Sequence, residues 1–376
     1  MTKSCKVIPD ETFLPLIYYS LINMRYSPIY ETWVAIAEGR QARPMDFAGT
    51  KEETAAAKAR SSVLCPFCEG HEMETPAEVD VVSRLSKSER TLDNYRRPNA
   101  PGWLVRAVPN RYPFLEADGE MTVQKFGPFV GAPNVGLQEV LVEVPFHGAS
   151  LEDLSPEEFQ YFIHFYHRRL HQLRKTHRWK YVQIFKNLGP KAGASLKHLH
   201  SQIAALPFIP PSIAREQDFL ADYRAKNHRC WHCEALKYEL AEKWRAVEET
   251  QYFGVFCPFA SRYPGEVWLL PKRHVPCFVQ SEREELDDLA EVLRRTVQNL
   301  TGKLGVHDFN LVFRTSPWNY TADGAIADEN FHWRLEICPR TVIQAGFELG
   351  TGCFVNPLAP ESAAAALKSQ GERGQL

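Results

Sequence analysis

Residues 187–202 read Asn187-Leu188-Gly189-Pro190-Lys191-Ala192-Gly193-Ala194-Ser195-Leu196-Lys197-His198-Leu199-His200-Ser201-Gln202. Just upstream, Tyr181-Val182-Gln183-Ile184-Phe185 is a run of strand formers. Downstream, His198, His200 and Gln202 alternate with Leu199, Ser201 and Ile203. That period of two predicts a strand with its three polar side chains on one face. Between the two strands, Gly189 to Ser195 form a small-residue loop whose amides can turn inward around an anion. A neutral imidazole beside such a loop can attack phosphorus and carry the phosphoryl group covalently. Gln202 can donate to a phosphate oxygen without adding a charge that competes for the nucleophile. A half-buried strand with two satisfied histidines would show the same His-x-His. Asn187, Gly193 and Ser195 at their steps favour chemistry.

Working outward, the chain repeats itself. The first part runs Cys65-Pro66-Phe67-Cys68, Arg111-Tyr112-Pro113, a strand over 138–143, Pro145 and His147, then a helix. That helix starts with Ser155 as N-cap and Pro156 behind it, and reaches about Lys175. Its apolar residues, Phe159, Phe162, Ile163, Tyr166 and Leu170, have helical spacing, and His164, His167 and His171 read as packing or surface residues. The second part runs Cys230-Trp231-His232-Cys233, Arg262-Tyr263-Pro264, a strand over 266–270, Pro271 and His274, a helix from about Glu282 to Lys303, and strands 309–313 and 331–337. The order predicts an α+β protein of two duplicated halves, 27–210 and 211–358, with extensions 1–26 and 359–376. Each half would be an antiparallel sheet with packed helices, and the prolines between 207 and 212 mark the junction. Only the first half has the loop and the His-x-His-x-Gln run. The second half offers His332, Arg334 and Glu336 instead, so it completes the pocket and leaves one nucleophile per chain.

The duplication also arranges two metal-ligand sets. Zinc takes about four ligands in a tetrahedron, commonly two Cys and two His. The first set is Cys65, Cys68, His147 and His198; the second is Cys230, Cys233, His274 and His332. A closed four-ligand site leaves no position for substrate, so both zinc ions are expected to be structural. Fixing His198 would orient the strand that carries His200. His71, His228 and His232 lie close enough in sequence to compete as ligands.

Composition sets outer limits. The chain has 376 residues, too many for one compact core, with 44% apolar and 24% charged residues. A net charge of −2 gives no reason to expect nucleic acid as a partner, and no apolar run suits a membrane span. Nine cysteines, four of them in the two pairs, point to metal in a cytoplasmic protein rather than to disulfides. The start of the chain lacks a basic region and a small-residue cleavage site.

The run from Asn187 through Gly193, Ser195, His198, His200 and Gln202 resembles the active-site signature of the galactose-1-phosphate uridylyltransferase family. That family lies within the histidine-triad superfamily. The tail Gly346-Phe347-Glu348-Leu349-Gly350-Thr351-Gly352-Cys353 is similar to that of the ADP-glucose phosphorylase-like members, and the resemblance spans roughly 27–360. It implies a histidine-triad-like fold and a ping-pong nucleotidyltransferase in which a nucleotide-diphosphate sugar forms a nucleotidyl-His200. A sugar-1-phosphate or phosphate then accepts the group. Gln202 and Ser195 would assist, Asn110, Asn187 and Gly193 would hold phosphate or ribose, and Glu348 the hexose. Arg40 and Arg43, which from spacing alone read as a solvated turn, become phosphate or nucleotide contacts across a homodimer interface. The resemblance supports the same zinc ligands. The glutamine that uridylyltransferases place six residues after the glutamate is Phe354 here, which puts galactose in doubt. The resemblance implies first a UDP-glucose:hexose-1-phosphate uridylyltransferase-like enzyme, with ADP-glucose phosphorylase and diadenosine-tetraphosphate phosphorylase as alternatives, and a non-catalytic, zinc-stabilised nucleotide-binding protein as an alternative of another class.

Overall fold

A computed structural model describes residues 23–42, 65–84, 97–321, 324–327 and 329–368. Arg43 and the Ala/Lys/Glu-rich stretch at 48–62 lie outside the described residues.

The chain opens with a hairpin of β1 (Met24–Ser27) and β2 (Thr32–Ile36). Then come β3 (Asp80–Ser83), β4 (Trp103–Pro109), the exposed hairpin β5 (Gln124–Phe126) and β6 (Phe129–Gly131), and β7 (Leu137–Val142). Helix α1 (Pro156–Arg174) leads to β8 (Tyr181–Leu188) and β9 (His200–Leu206). Two helices follow that periodicity did not single out, α2 (Pro211–Asn227) and α3 (Trp231–Glu242). Next are β10 (Ala246–Glu249), β11 (Phe253–Phe256), β12 (Val267–Pro271), α4 (Arg283–Leu304) and β13 (Phe309–Arg314). A short hairpin, β14 (Trp318–Thr321) and β15 (Gly324–Ala327), precedes β16 (Arg334–Pro339). The chain closes with α5 (Gly346–Thr351), β17 (Phe354–Asn356) and α6 (Pro360–Leu367).

Ten strands make one antiparallel sheet in the order β10-β11-β12-β16-β13-β8-β9-β7-β4-β3. It divides into two five-strand sets joined by β13 and β8. In each set the third strand in sequence pairs with the fifth, and the long helix links the third to the fourth.

One face of this sheet carries a single core that spans both sets of strands, where the chain length and the repeat predict a separate sheet and core for each half. Ser155 caps α1 as its sequence predicts: its Oγ accepts from the Glu158 amide at 3.2 Å while the Glu158 carboxylate accepts from the Ser155 amide at 2.8 Å. Phe159, Phe162, Ile163, Tyr166 and Leu170 then point inward. Helix α4 ends at Gly305, whose φ of 64° is the left-handed conformation that glycine adopts without steric cost. The two helices pack together over Val105, Leu141, Ile184, Ile203, Leu311 and Leu335. On the opposite face α2, α3 and the β1–β2 hairpin cover the second five strands and the Tyr181 and Leu206 ends of β8 and β9. Phe67 packs there over Trp103, Val108, Val140 and Val142 of β4 and β7. Toward Asn187 and His200 this face borders cavities.

Candidate active site

Strand β9 begins at His200, two residues later than the alternation predicted; His198 and Leu199 lie just before the ladder. The delay frees the His198 ring to turn into the Cys65–Cys68 loop. Its Nδ1 stands 3.6 Å from both sulfurs, and its Nε2–H donates to the Val144 carbonyl at 2.7 Å. His147 completes the group: the ligand atoms of Cys65, Cys68, His147 and His198 all lie within 4.8 Å of one another. Both ring nitrogens of His147 are buried without a hydrogen-bond partner. Leaving such nitrogens bare is costly, and a cation among them would satisfy one.

The second set repeats this arrangement. Cys230, Cys233, His274 and His332 also lie within 4.8 Å of one another. His332 presents Nδ1 to Cys233 at 3.4 Å and donates from Nε2 to the Pro271 carbonyl at 3.0 Å. His274 presents Nδ1 to Cys233 at 3.5 Å and donates from Nε2 to the Glu329 carbonyl at 2.9 Å. A ring that donates one N–H to a backbone carbonyl and aims its other nitrogen at thiols has the tautomer and orientation of a metal ligand. Both sets can therefore hold a metal ion.

The competing histidines are committed elsewhere. His71 pairs with the Cys65 carbonyl, His228 ends α2, and His232 accepts from Arg334 at 3.0 Å. A third group, Glu266, Glu336 and Cys338, is compact enough for a metal. There the Arg262 guanidinium already sits 2.7 Å from Glu266 and 3.0 Å from Glu336 and donates to Cys338.

His200 is buried but lies on the wall of a cavity of about 430 Å3, together with Asn187, Ser195 and the loop from Gly189. Its Nδ1 is 2.7 Å from the His198 carbonyl. A carbonyl only accepts, so Nδ1 carries the hydrogen and Nε2 keeps its lone pair. Nε2 has no hydrogen-bond partner among the described residues. Burial lowers the pKa of the ring and keeps it neutral. Phe67, between the two cysteines, packs on it with ring centroids 5.3 Å apart. The Cys65–Cys68 loop and the free imidazole therefore touch directly.

Two amides are oriented the same way. The Phe114 amide donates to Gln138 Oε1, and Gln138 Nε2 donates to Gln202 Oε1 at 3.1 Å. That leaves the Gln202 N–H2 group for a ligand. Asn310 donates to Asn187 Oδ1 and to the Ala192 carbonyl, each at 2.9 Å, which leaves Asn187 Nδ2 as a donor beside Gly193.

The loop is tighter than an anion cradle needs. The amides of Ala192, Gly193 and Ala194 donate to its own carbonyls, so Ser195 is the first whose amide and hydroxyl stay available. Gly189 is required where it is. Its φ is 80°, and a Cβ there would come within 2.3 Å of Asp308 Oδ1.

Other predicted residues lie elsewhere. Asn110 shares the open face with Gln138, and its Oδ1 accepts from the Tyr112 amide. Arg40 is exposed on the turn after β2. Glu348 caps its own short helix by accepting from the Ala345 amide at 2.9 Å. Of the predicted residues Asn187, Ser195, His198 and His200 line the His200 cavity, whereas Arg40, Asn110, Gly193, Gln202 and Glu348 do not.

Sequence reasoning missed the support beneath His200. Lys186 is buried; its Nζ donates to Glu143 at 2.5 Å and to the His200 carbonyl at 3.1 Å. Tyr166 and Ser201 also donate to Glu143. The signal was present as a lysine on β8 and a glutamate just past the end of β7, both among apolar residues. Among the other five strands, β16, which like β9 pairs with the strand before the long helix, carries Arg334, fully buried and bound to Glu216 and Glu336. An ion network stands there in place of a bare imidazole.

Comparison with known proteins decides the family. Residues 147–372 match a family model described as a domain of unknown function, DUF4921. An ADP-glucose phosphorylase of Arabidopsis thaliana is 31% identical, covering 92% of each chain. A galactose-1-phosphate uridylyltransferase of Thermotoga maritima is 29% identical, over 93% of this chain and 98% of the relative. The chain belongs to the galactose-1-phosphate uridylyltransferase family. A crystal structure of the Arabidopsis ADP-glucose phosphorylase with bound ADP-glucose superposes with a TM-score of 0.73 at 28% identity, over 92% of this chain and 98% of that one. As a member of the family this chain is a nucleotidyltransferase, and the residues around His200 have to account for that chemistry.

Proposed function

We propose that the protein transfers a nucleotidyl group between a nucleotide-diphosphate sugar and a phosphate-bearing acceptor through a covalent nucleotidyl-His200. The observation that carries this is the tautomer of His200, with Nδ1–H held by the His198 carbonyl and Nε2 bare at a cavity. The Nε2 lone pair forms an N–P bond to the α-phosphorus. The bond from that phosphorus to the bridging oxygen breaks, and its electron pair leaves with the sugar-1-phosphate. In the second step an acceptor oxygen forms the O–P bond, and the N–P electron pair returns to the ring. Gln202, Asn187 and Ser195 are proposed to donate to the phosphate oxygens, which gain charge on the way to each transition state.

The Arabidopsis relative and Phe354 at the position of the uridylyltransferase glutamine favour adenylyl transfer from ADP-glucose to phosphate. Uridylyl transfer to a hexose-1-phosphate, as named for the Thermotoga relative, is the second reading. Labelling with the two nucleotide sugars side by side separates them.

The remaining assignments belong to the same proposal. The repeated strand order supports two duplicated halves, 27–210 and 211–358. Two zinc ions are proposed, because two Cys2His2 groups suit zinc better than a harder cation. Zinc there would hold the Cys65–Cys68 loop, and with it Phe67, against His200. Arg40 and Glu348 lie off the cavity wall, which supports a homodimer in which a second copy brings such groups to the substrate. A cytoplasmic location follows from the cysteine usage. No helix among the described residues is long and apolar enough to cross a membrane.

A further inference from the structure

A second cavity, of about 340 Å3, opens beside the nucleophile on the face of the sheet opposite α1 and α4. Asn187, Asn310, Tyr30, Arg262, Arg314 and Arg340 line it, and Asn187 lies on the wall of the His200 cavity as well. Strand register explains the junction. Phe185 pairs with Gln202 across β8 and β9, so Asn187, two residues on, stands opposite His200 on the same face. Asn187 in turn pairs with Asn310, and Asn310 with Cys338. The row His200, Asn187, Asn310 spans three adjacent strands, about 10 Å at roughly 4.8 Å per strand.

The charges on the wall of this cavity and immediately behind it do not cancel. The guanidinium groups of Arg262, Arg314 and Arg340 on the wall, with Arg334 behind it, meet three carboxylates, Glu336 on the wall and Glu216 and Glu266 behind it. Arg262 spans Glu266 and Glu336, while Arg314 and Arg334 share Glu216. Arg340 is the cation left over. Among the described residues its guanidinium has no carboxylate and no hydrogen-bond partner, and it rests 5.2 Å from the centre of the Tyr263 ring. Arg314, more than nine-tenths buried, keeps an Nε without a partner. A planar fork of unspent N–H groups, an excess positive charge and the free Nδ2 of Asn187 suit an anion with several acceptor oxygens.

We propose that this cavity seats the phosphate group of the acceptor, with Arg340 as its principal cation and Asn187 as the donor it shares with the transferring phosphorus. This rests on the reading of His200 as the nucleotidyl carrier. A phosphate held here supplies the oxygen that forms the new O–P bond while the N–P bond to Nε2 breaks. The reverse reaction returns the leaving phosphate to the same place. The chemistry recognised is a phosphate dianion, either free or at the end of a sugar-1-phosphate.

The experiment uses the full chain, with Arg340→Gln and Arg340→Lys beside the wild type. Protein pre-labelled from the active nucleotide sugar is discharged with inorganic phosphate in one arm and glucose-1-phosphate in the other. In parallel, phosphate binding to unlabelled protein is titrated by calorimetry. The expected result is a rise of about tenfold or more in the concentration for half-maximal discharge with Arg340→Gln, for whichever acceptor works, and partial recovery with Arg340→Lys. Calorimetric affinity for phosphate should fall in parallel. Unchanged half-saturation and affinity in Arg340→Gln overturn the assignment. If the wild type takes no label, the nucleotidyl-carrier reading fails, and the calorimetric arm still decides whether Arg340 holds phosphate.

Discussion

Replacing Lys186 with Met tests how the nucleophile is supported. The substitution keeps the length of the side chain but removes the ammonium that faces Glu143 and the His200 carbonyl in a buried site. Taking one partner from a buried ion pair costs about 3–5 kcal/mol, because the other charge stays behind unpaired. Glu143 would keep the hydroxyls of Tyr166 and Ser201, which places the cost near the lower limit, about 3 kcal/mol. An unfolding entropy of about 2.1 cal/mol/K per residue over 376 residues turns that into a fall in Tm of about 4 °C. Replacing both partners, Lys186→Met with Glu143→Leu, removes the stranded charge and should restore most of the stability, a coupling of about 2 kcal/mol. Catalysis should respond differently. The hydrogen bond to the His200 carbonyl is missing from both variants, so the rate of labelling His200 should fall about tenfold in each. Scanning calorimetry and single-turnover labelling read the two effects. A single variant within about 1 °C of wild type, or a double variant less stable than the single one, would refute the reasoning.

Two further outcomes follow from the site. Chelation should remove two equivalents of zinc, measured by a colorimetric metal assay. Cys65→Ser should cost more activity than Cys233→Ser at equal metal loss, because only the first set carries Phe67 against His200. Gln202→Ala should lower kcat about 10²–10³-fold, the usual effect of losing one preorganised donor to developing charge. Gln138→Leu should cost less, since it only releases the Gln202 amide from its fixed orientation; steady-state kinetics on both variants checks the ranking.

Much of the centre was legible because it is written locally. The alternation from His198 to Gln202 and the two Cys-x-x-Cys pairs are short-range patterns, and repeated motif order pointed to the distant His147, His274 and His332, which the fold brings beside the cysteines. Patterns of this kind blur at element ends. The strand at 198–203 starts at His200 and the one at 331–337 starts at Arg334, because His198 and His332 are turned toward the cysteine pairs instead of the ladder. Helices α2 and α3 were missed although α2 supplies Glu216, which neutralises Arg314 and Arg334. The hydrophobic periodicity of α2 is weak, and a buried carboxylate occupies a position where an apolar residue would have announced the helix. The Lys186–Glu143 pair and Arg340, which has no carboxylate partner among the described residues, were invisible for another reason. Cross-strand partners depend on register, which no local pattern specifies. Arg40 and Glu348 came from resemblance alone, and the fold of a single chain leaves both away from His200.

The central claim is that one bare imidazole carries the nucleotidyl group. Incubation with α-labelled ADP-glucose and, separately, UDP-glucose tests it most directly. The expected result is acid-labile, base-stable label on the wild type with at least one donor, and none on His200→Ala. Label that persists on His200→Ala, or a wild type that takes no label from either nucleotide sugar, would contradict the account.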